Sequence, residues 1–229
     1  KKLIAINEYT IKCINKYCKT PLEKFTKIPR PINSKIFKFE KKFKQKTFTL
    51  ITFCRIEKEK NIQDVIQILS NLKKNGHEFI YNIIGDGKYI LKLKELCKKL
   101  NIEKEVVFHG AKTQLEIVKF LHKSDLHILL SHSESFGRVF AEAGFIKVPS
   151  IGYKGDESSA VSEIIKNNYN GLLYKFNEYI KIEKKLVEII KDKNYLEKLS
   201  NNAFEFSKKN FDNKIISKKL GDFFKCNLK

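Results

Sequence analysis

The sequence predicts an α/β protein: a doubly wound parallel sheet followed by helices at the C-terminal end. Two observations carry this. From about residue 47 short apolar runs alternate with stretches of helical periodicity, and beyond about 177 only the helical period continues. A third observation, 42% hydrophobic residues with 18 Phe in 229 positions, shows that a sizeable core can be buried.

The elements follow in order. KKLIAIN (1–7) reads as a strand and EYTIKCINKYCK (8–19) as a helix. KFTKIPRPINSKIF (24–37) reads as an extended, proline-bearing connector. A lone strand and helix cannot bury their own apolar faces. Residues 1–35 are therefore expected to be the end of another domain plus a linker, and 36–229 the main domain.

TFTLITF (47–53) is rich in β-branched and aromatic residues and predicts the first buried strand. NIQDVIQILSNLKK (61–74) places Ile62, Val65, Ile66, Leu69 and Leu72 at helical spacing. Strands are expected at 78–85, 105–110, 125–131, 149–152 and 171–176, with helices at 89–100, 114–124 and from near Gly137. Three helices, 179–192, 194–209 and 213–225, complete the tail. Right-handed crossovers in such a sheet bring all strand C-terminal ends to one edge, where ligands bind.

With 46 Lys+Arg against 26 Asp+Glu the formal charge is +20. That points to an anionic partner, such as nucleic acid, an acidic membrane surface or a phosphorylated ligand. A compositional bias toward Lys, Asn, Ile and Phe accounts for the charge nearly as well. Five cysteines without a CxxC pair give neither a disulfide framework nor a zinc site, and fit a reducing cytoplasm. No run approaches the ~18 apolar residues of a membrane span, and no secretory signal is present. With no methionine the sequence does not begin at a start codon, and it is expected to be part of a longer protein. No HExxH, acidic metal pair, GxSxG elbow or Cys/His cluster occurs, so no metal is expected.

Four places at the ligand edge carry candidate chemistry. RIEKEK (55–60) sets Arg55 at the end of the first strand and Lys60 at the opening of the next helix, two cations suited to a diphosphate. GDGK (85–88) supplies Gly85 and Gly87 for a tight turn; it is neither a Walker loop nor GxGxxG. His109 follows the strand VVF on the same edge. SHSESFGRVFAEAG (131–144) places Glu134 in a loop before a helix that opens at Gly137, and Glu142 on that helix beside its apolar stripe. The helix N-terminus is a site for phosphate. Glu142 has two readings: acceptor for a pair of ribose hydroxyls, or i−4 ion-pair partner of Arg138.

In order, FCRIEKEKN, IIGDGK, VVFHG, SHSESFGRVFAEAG (an E-x7-E motif), VPSIG and SEIIKNNYNGLL resemble the C-terminal, nucleotide-sugar-binding domain of the family-four retaining glycosyltransferases of GT-B fold. The likeness extends to the head, where IAINEYTIKCINKY and FTKIPRPIN resemble the family's linker region, and covers roughly residues 3–210. The resemblance implies that Arg55 and Lys60 hold the diphosphate and stabilise the leaving group, that Glu134 faces the donor sugar, and that Glu142 holds the ribose. It implies that backbone N–H groups around Phe136, Gly137 and Arg138 meet sugar and phosphate, with Gly85, Gly87 and His109 lining the donor site. The donor would be a UDP- or GDP-sugar as co-substrate, without cofactor or metal. The acceptor would be a glycan or a lipid-linked molecule, met in the cytoplasm or by peripheral contact with the anionic inner face of a membrane. The resemblance also implies that the acceptor site would belong to an N-terminal domain of which this sequence is expected to hold only the end.

Two departures from the family pattern stand out. Ser159-Ala160-Val161-Ser162-Glu163 replaces a common Gly-Gly-x-Pro-Glu, and Ser135 follows Glu134 where glycine is usual. A rival reading is a basic nucleic-acid-binding α/β module; it would need aromatics interleaved with basic residues on one surface, whereas most aromatics here fall at core positions. An epimerase of the same coarse class would need GxGxxG after its first strand, which FCRIEKEK lacks.

Overall fold

The structure is a computed structural model in which residues 2–41, 43, 45–154 and 160–227 are described. A six-stranded, wholly parallel sheet forms its centre: β3 (Phe48–Phe53), β4 (Phe79–Ile84), β5 (Val106–Phe108), β6 (Leu126–Leu129), β7 (Ser150–Tyr153) and β8 (Gly171–Tyr174), in the order β5-β4-β3-β6-β7-β8. The expected strands of the sheet are all present; β7 is shifted by one residue, from 149–152 to Ser150–Tyr153, and the others are trimmed at one or both ends. Along β3 the side chains alternate between two cores. Leu50 faces α2 (Ile62–Lys74), α3 (Ile90–Leu100) and α7 (Tyr179–Lys191), while Ile51 and Phe53 face α4 (Gln114–Leu121), α5 (Arg138–Phe145) and α6 (Val161–Ile164). Both faces being covered explains why the strands read as continuous apolar runs.

On the second face α5 lies against α8 (Lys193–Phe211). A Cβ on Gly144 would stand 2.2 Å from the Ser207 Oγ, so the close approach depends on that glycine. The last helix, α9 (Asn213–Asn227), buries little beyond Ile216.

The head contains more than expected. β1 (Leu3–Ala5) pairs in parallel with β2 (Phe25–Lys27), a strand within the stretch expected to be only an extended connector; α1 (Glu8–Cys18) lies between them. The connector then joins the main body. Ile32 is fully buried in the core of the second face, and its backbone bonds Phe211 and Asn213.

Candidate functional site

The chain runs from β3 outward through β4 to β5, then returns to β6 beside β3 and continues outward the other way. The crevice between β3 and β6 is therefore the switch point of the sheet, where open α/β sheets bind ligands. The loops leaving these two strands meet there. After β3, Arg55 is exposed and a 3-10 turn spans Lys58–Lys60, so Lys60 ends that turn and α2 begins two residues later, at Ile62. Asn61 adopts a left-handed conformation (φ 52°), and its Nδ2 donates to the Leu130 carbonyl at 2.9 Å. His132 N–H donates to the Glu59 carbonyl at 3.3 Å. Between these contacts the Lys60 ammonium meets Glu134 Oε1 at 2.6 Å, both side chains 14% exposed.

Cys54, at the end of β3, sits within the field of these charges. Burial is the main cause pushing its thiol up to about 12; Glu134 acts in the same direction, and Lys60 and Arg55 oppose it. The thiol is a packing group, while the three charges surround the strand end. Arg55 makes no side-chain hydrogen bond or ion pair among the described residues. Lys60 and Glu134 are thus brought together directly, and Arg55 stands at the exposed rim.

Helix α5 starts where the sequence places it. Gly137 precedes it at φ +74°, and a Cβ there would lie 2.8 Å from the Phe140 ring. Among the described residues no side chain caps the first turn; Phe140 N–H donates to the Gly137 carbonyl at 3.0 Å, and the N–H groups of Arg138 and Val139 are those a ligand can meet. The Phe136 side chain points away into the core, edge-on to Phe211 at 5.7 Å, so only its backbone can serve a ligand. Glu142 is 7% exposed, and its Oε1 lies 2.6 Å from Arg138 Nε: the ion-pair reading is realised in the structure. Burial raises its carboxyl above the ordinary range, and Arg138 opposes the shift.

The two glycines of GDGK have packing reasons to be there. The Cys54 and Ile56 N–H groups donate to Ile84 and Asp86, and Tyr89 N–H donates back to Ile56. This zips the two loops so tightly that a Cβ on Gly85 would stand 1.9 Å from the Cys54 oxygen, and one on Gly87 2.2 Å from the Ile56 oxygen. His109 Nε2 pairs with Asn82 Oδ1 at 2.7 Å and its ring lies 4.4 Å from that of Phe120. Burial, then Lys112, lowers its pKa, so it is held as a neutral ring.

Several residues of this region escaped the motif reading. Asn61 bridges the two loops, and a left-handed Asn between a turn and a helix is a signal that finds it. Ala160 N–H donates to the Glu134 carbonyl at 2.9 Å, and Asn7 Nδ2 donates to the Ser135 carbonyl. Of the departing loop, Ser159 lies outside the described residues, while Glu163 pairs with Lys27 at 3.6 Å. Among the described residues no group of three His, Cys, Asp or Glu is placed to hold a metal.

Comparisons with known proteins bear on this geometry. A family model described as glycosyl transferases, group 1, matches residues 33–206. The chain is 29% identical over 171 residues to N-acetyl-alpha-D-glucosaminyl L-malate synthase of Bacillus anthracis, covering 75% of this chain and 42% of that protein. It is 29% identical over 167 residues, 72% of this chain and 44% of the relative, to a Campylobacter jejuni alpha-1,4-N-acetyl-D-galactosaminyltransferase named for a diNAcBac-PP-undecaprenol glycan. The crystal structure of HepE from Anabaena, in complex with UDP and glucose, shares the fold with a TM-score of 0.84 at 18% identity, over 98% of this chain and 63% of that one. The chain spans about half the length of the curated relatives it matches.

Proposed function

Since this chain belongs to the group 1 glycosyltransferases, we propose that it binds a nucleotide sugar at the β3–β6 crevice and serves as the donor-binding half of a retaining sugar transfer. The observation that carries this reading is the Lys60–Glu134 pair at the switch point, beside the uncapped start of α5. Arg55 and Lys60 receive the diphosphate. Lys60 has three donors, so it can keep Glu134 and still meet a phosphate oxygen. As the bond between the anomeric carbon and the diphosphate oxygen breaks, negative charge grows on the leaving group. The two cations and the N–H groups of α5 lie where that charge develops. Glu134 faces the donor sugar, and Glu142 serves the ribose from the same helix. The bond from the acceptor oxygen then forms on the face that the leaving group vacated, and the acceptor's hydroxyl proton passes to the departing diphosphate oxygen.

UDP sugars are the first donors to test, because the HepE complexes hold UDP, with GDP sugars as the comparison. No metal or cofactor enters the reading. A lipid-linked acceptor fits the Campylobacter relative's name, and the +20 charge supports peripheral contact with anionic lipid; among the described residues no helix is long and apolar enough to cross a membrane. The family match does not favour the nucleic-acid reading.

Calorimetric titration with UDP, UDP-glucose, GDP-mannose and a short single-stranded DNA tests the proposal. Binding of a nucleotide sugar, weakened by Lys60→Met, is the expected result. Binding of DNA alone sinks it. Co-sedimentation with acidic vesicles at low salt, absent with neutral ones, is the expected membrane result.

A further inference from the structure

The loop carrying Glu134 leaves His132, Ser133 and Ser135 exposed, with the His132 ring 4.4 Å from that of Phe176. Its backbone is held by other segments. The Glu134 carbonyl accepts from Ala160 N–H at 2.9 Å, and the neighbouring Ser135 carbonyl accepts from Asn7 Nδ2.

Asn7 is 2% exposed and uses both ends of its amide. Its Oδ1 caps α1, accepting from Thr10 N at 2.8 Å and from Thr10 Oγ1 at 2.7 Å, while its Nδ2 reaches across 128 residues to the loop. Capping alone needs only an acceptor, and Asp or Ser caps a helix about as well as Asn. The amide donor is what the loop contact adds. A second pair of contacts lies alongside: Glu163 accepts from Tyr9 N–H at 3.3 Å and pairs with Lys27 at 3.6 Å, and Lys27 also meets Glu8 at 2.7 Å. A cavity of about 90 Å³ behind the loop is lined by Asn7, Lys27, Phe136, Ala160 and Glu163, so the loop has room to shift once these ties are cut.

We infer that Asn7 is a positioning residue for Glu134: through the Ser135 carbonyl it fixes the loop in the pose that presents Glu134 to the donor sugar, and it couples that pose to the placement of the head. A displacement of about 1 Å is enough to spoil such a contact. The inference rests on the proposed role of Glu134.

Two variants of the full chain test it. Asn7→Asp keeps the cap and removes the donor; Asn7→Ser does so without adding charge and carries the test should the first fail to fold. Hydrogen exchange of amides 133–137 should accelerate about five- to tenfold, the worth of roughly one hydrogen bond. Affinity for UDP-glucose should fall by about the same factor, while UDP binds as to wild type. Unchanged exchange at 133–137, or equal weakening of both ligands, overturns the inference. A wild-type chain that binds neither ligand sinks the functional reading instead, and the exchange arm still decides whether Asn7 holds the loop.

Discussion

Lys60 and Glu134 stand 74 residues apart in the chain and 2.6 Å apart in space, each 14% exposed, across the point where the sheet reverses its winding. Two charges withdrawn this far from water recover their hydration cost only through good geometry. Their pairing holds the β3 and β6 loops together and keeps a cation in the crevice in the absence of ligand.

A double-mutant cycle on this pair, with Lys60→Met, Glu134→Gln and the double variant, should give a coupling of about 1.5–3 kcal/mol, the range of a charge-assisted hydrogen bond. Urea unfolding at low and high salt measures it. A coupling near zero would show that the contact is incidental to the fold.

The GDGK turn offers a steric test. Gly85→Ala drives a Cβ into the Cys54 oxygen and Gly87→Ala into that of Ile56, and Gly85 has φ +138°, which L side chains rarely adopt. Backbone atoms cannot step aside as a flexible side chain can. Each variant should lose about 2 kcal/mol or more by denaturant unfolding. A loss below about 0.5 kcal/mol in both would mean that the loops are not zipped as described.

The parts of this fold legible in the sequence are those set by burial. Each central strand is an apolar run bounded by turn residues, and Ile62 to Leu72 keep a helical stripe, so alternation and winding follow directly. Strand ends are less legible, because the regular strands stop at Ile84 and Phe108 although Gly85 N–H still donates to the Gly110 carbonyl and His109 N–H to that of Ile83. β2 and α6 escape because three or four residues carry no period. Glu134 and Lys60 are legible as edge residues; that they touch is a property of strand order. Asn7 is beyond any local reading, since its partner lies on the far side of the chain. Glu142 falls between the two cases: the i−4 arginine and the half-apolar face are both in the sequence, and they argue for different roles.

His127 makes stability depend on pH. It is fully buried in β6 between the Phe53 and Phe140 rings, with Nδ1 3.0 Å from Ser150 Oγ, and burial lowers its pKa to about 3. Its folded value lies below the unfolded value near 6.5, so the unfolded chain takes up the proton first. The stabilisation is present above about pH 6.5 and is lost as pH falls toward 3. Between pH 6.5 and 5 the loss should be about 2 kcal/mol. Urea unfolding of wild type and His127→Leu at the two pH values measures it; the variant should lack this part of the slope, and equal slopes would remove His127 as its source.

Glu142 separates structural from functional reasons for a buried carboxylate. Its folded pKa is raised by burial despite Arg138 at 2.6 Å, so the fold binds its proton more tightly than the unfolded chain does. Stability from this group is therefore highest below the ordinary carboxyl range and falls as pH rises through it. At neutral pH the ionised group is a net cost that Arg138 only reduces, and a group kept at a cost points to a ligand. Glu142→Gln should then be at least as stable as wild type at pH 7 and equal to it near pH 4. It should also lose about ten- to a hundredfold in UDP affinity, the worth of one charge-assisted hydrogen bond to a ribose hydroxyl. Arg138→Leu should leave UDP affinity within about threefold, because in this reading the ligand needs the carboxylate and not the guanidinium side chain. Thermal unfolding at both pH values and calorimetric titration of the two variants decide the matter. If Glu142→Gln loses stability at pH 7 and binds UDP as wild type does, the helix ion pair is the whole of its role.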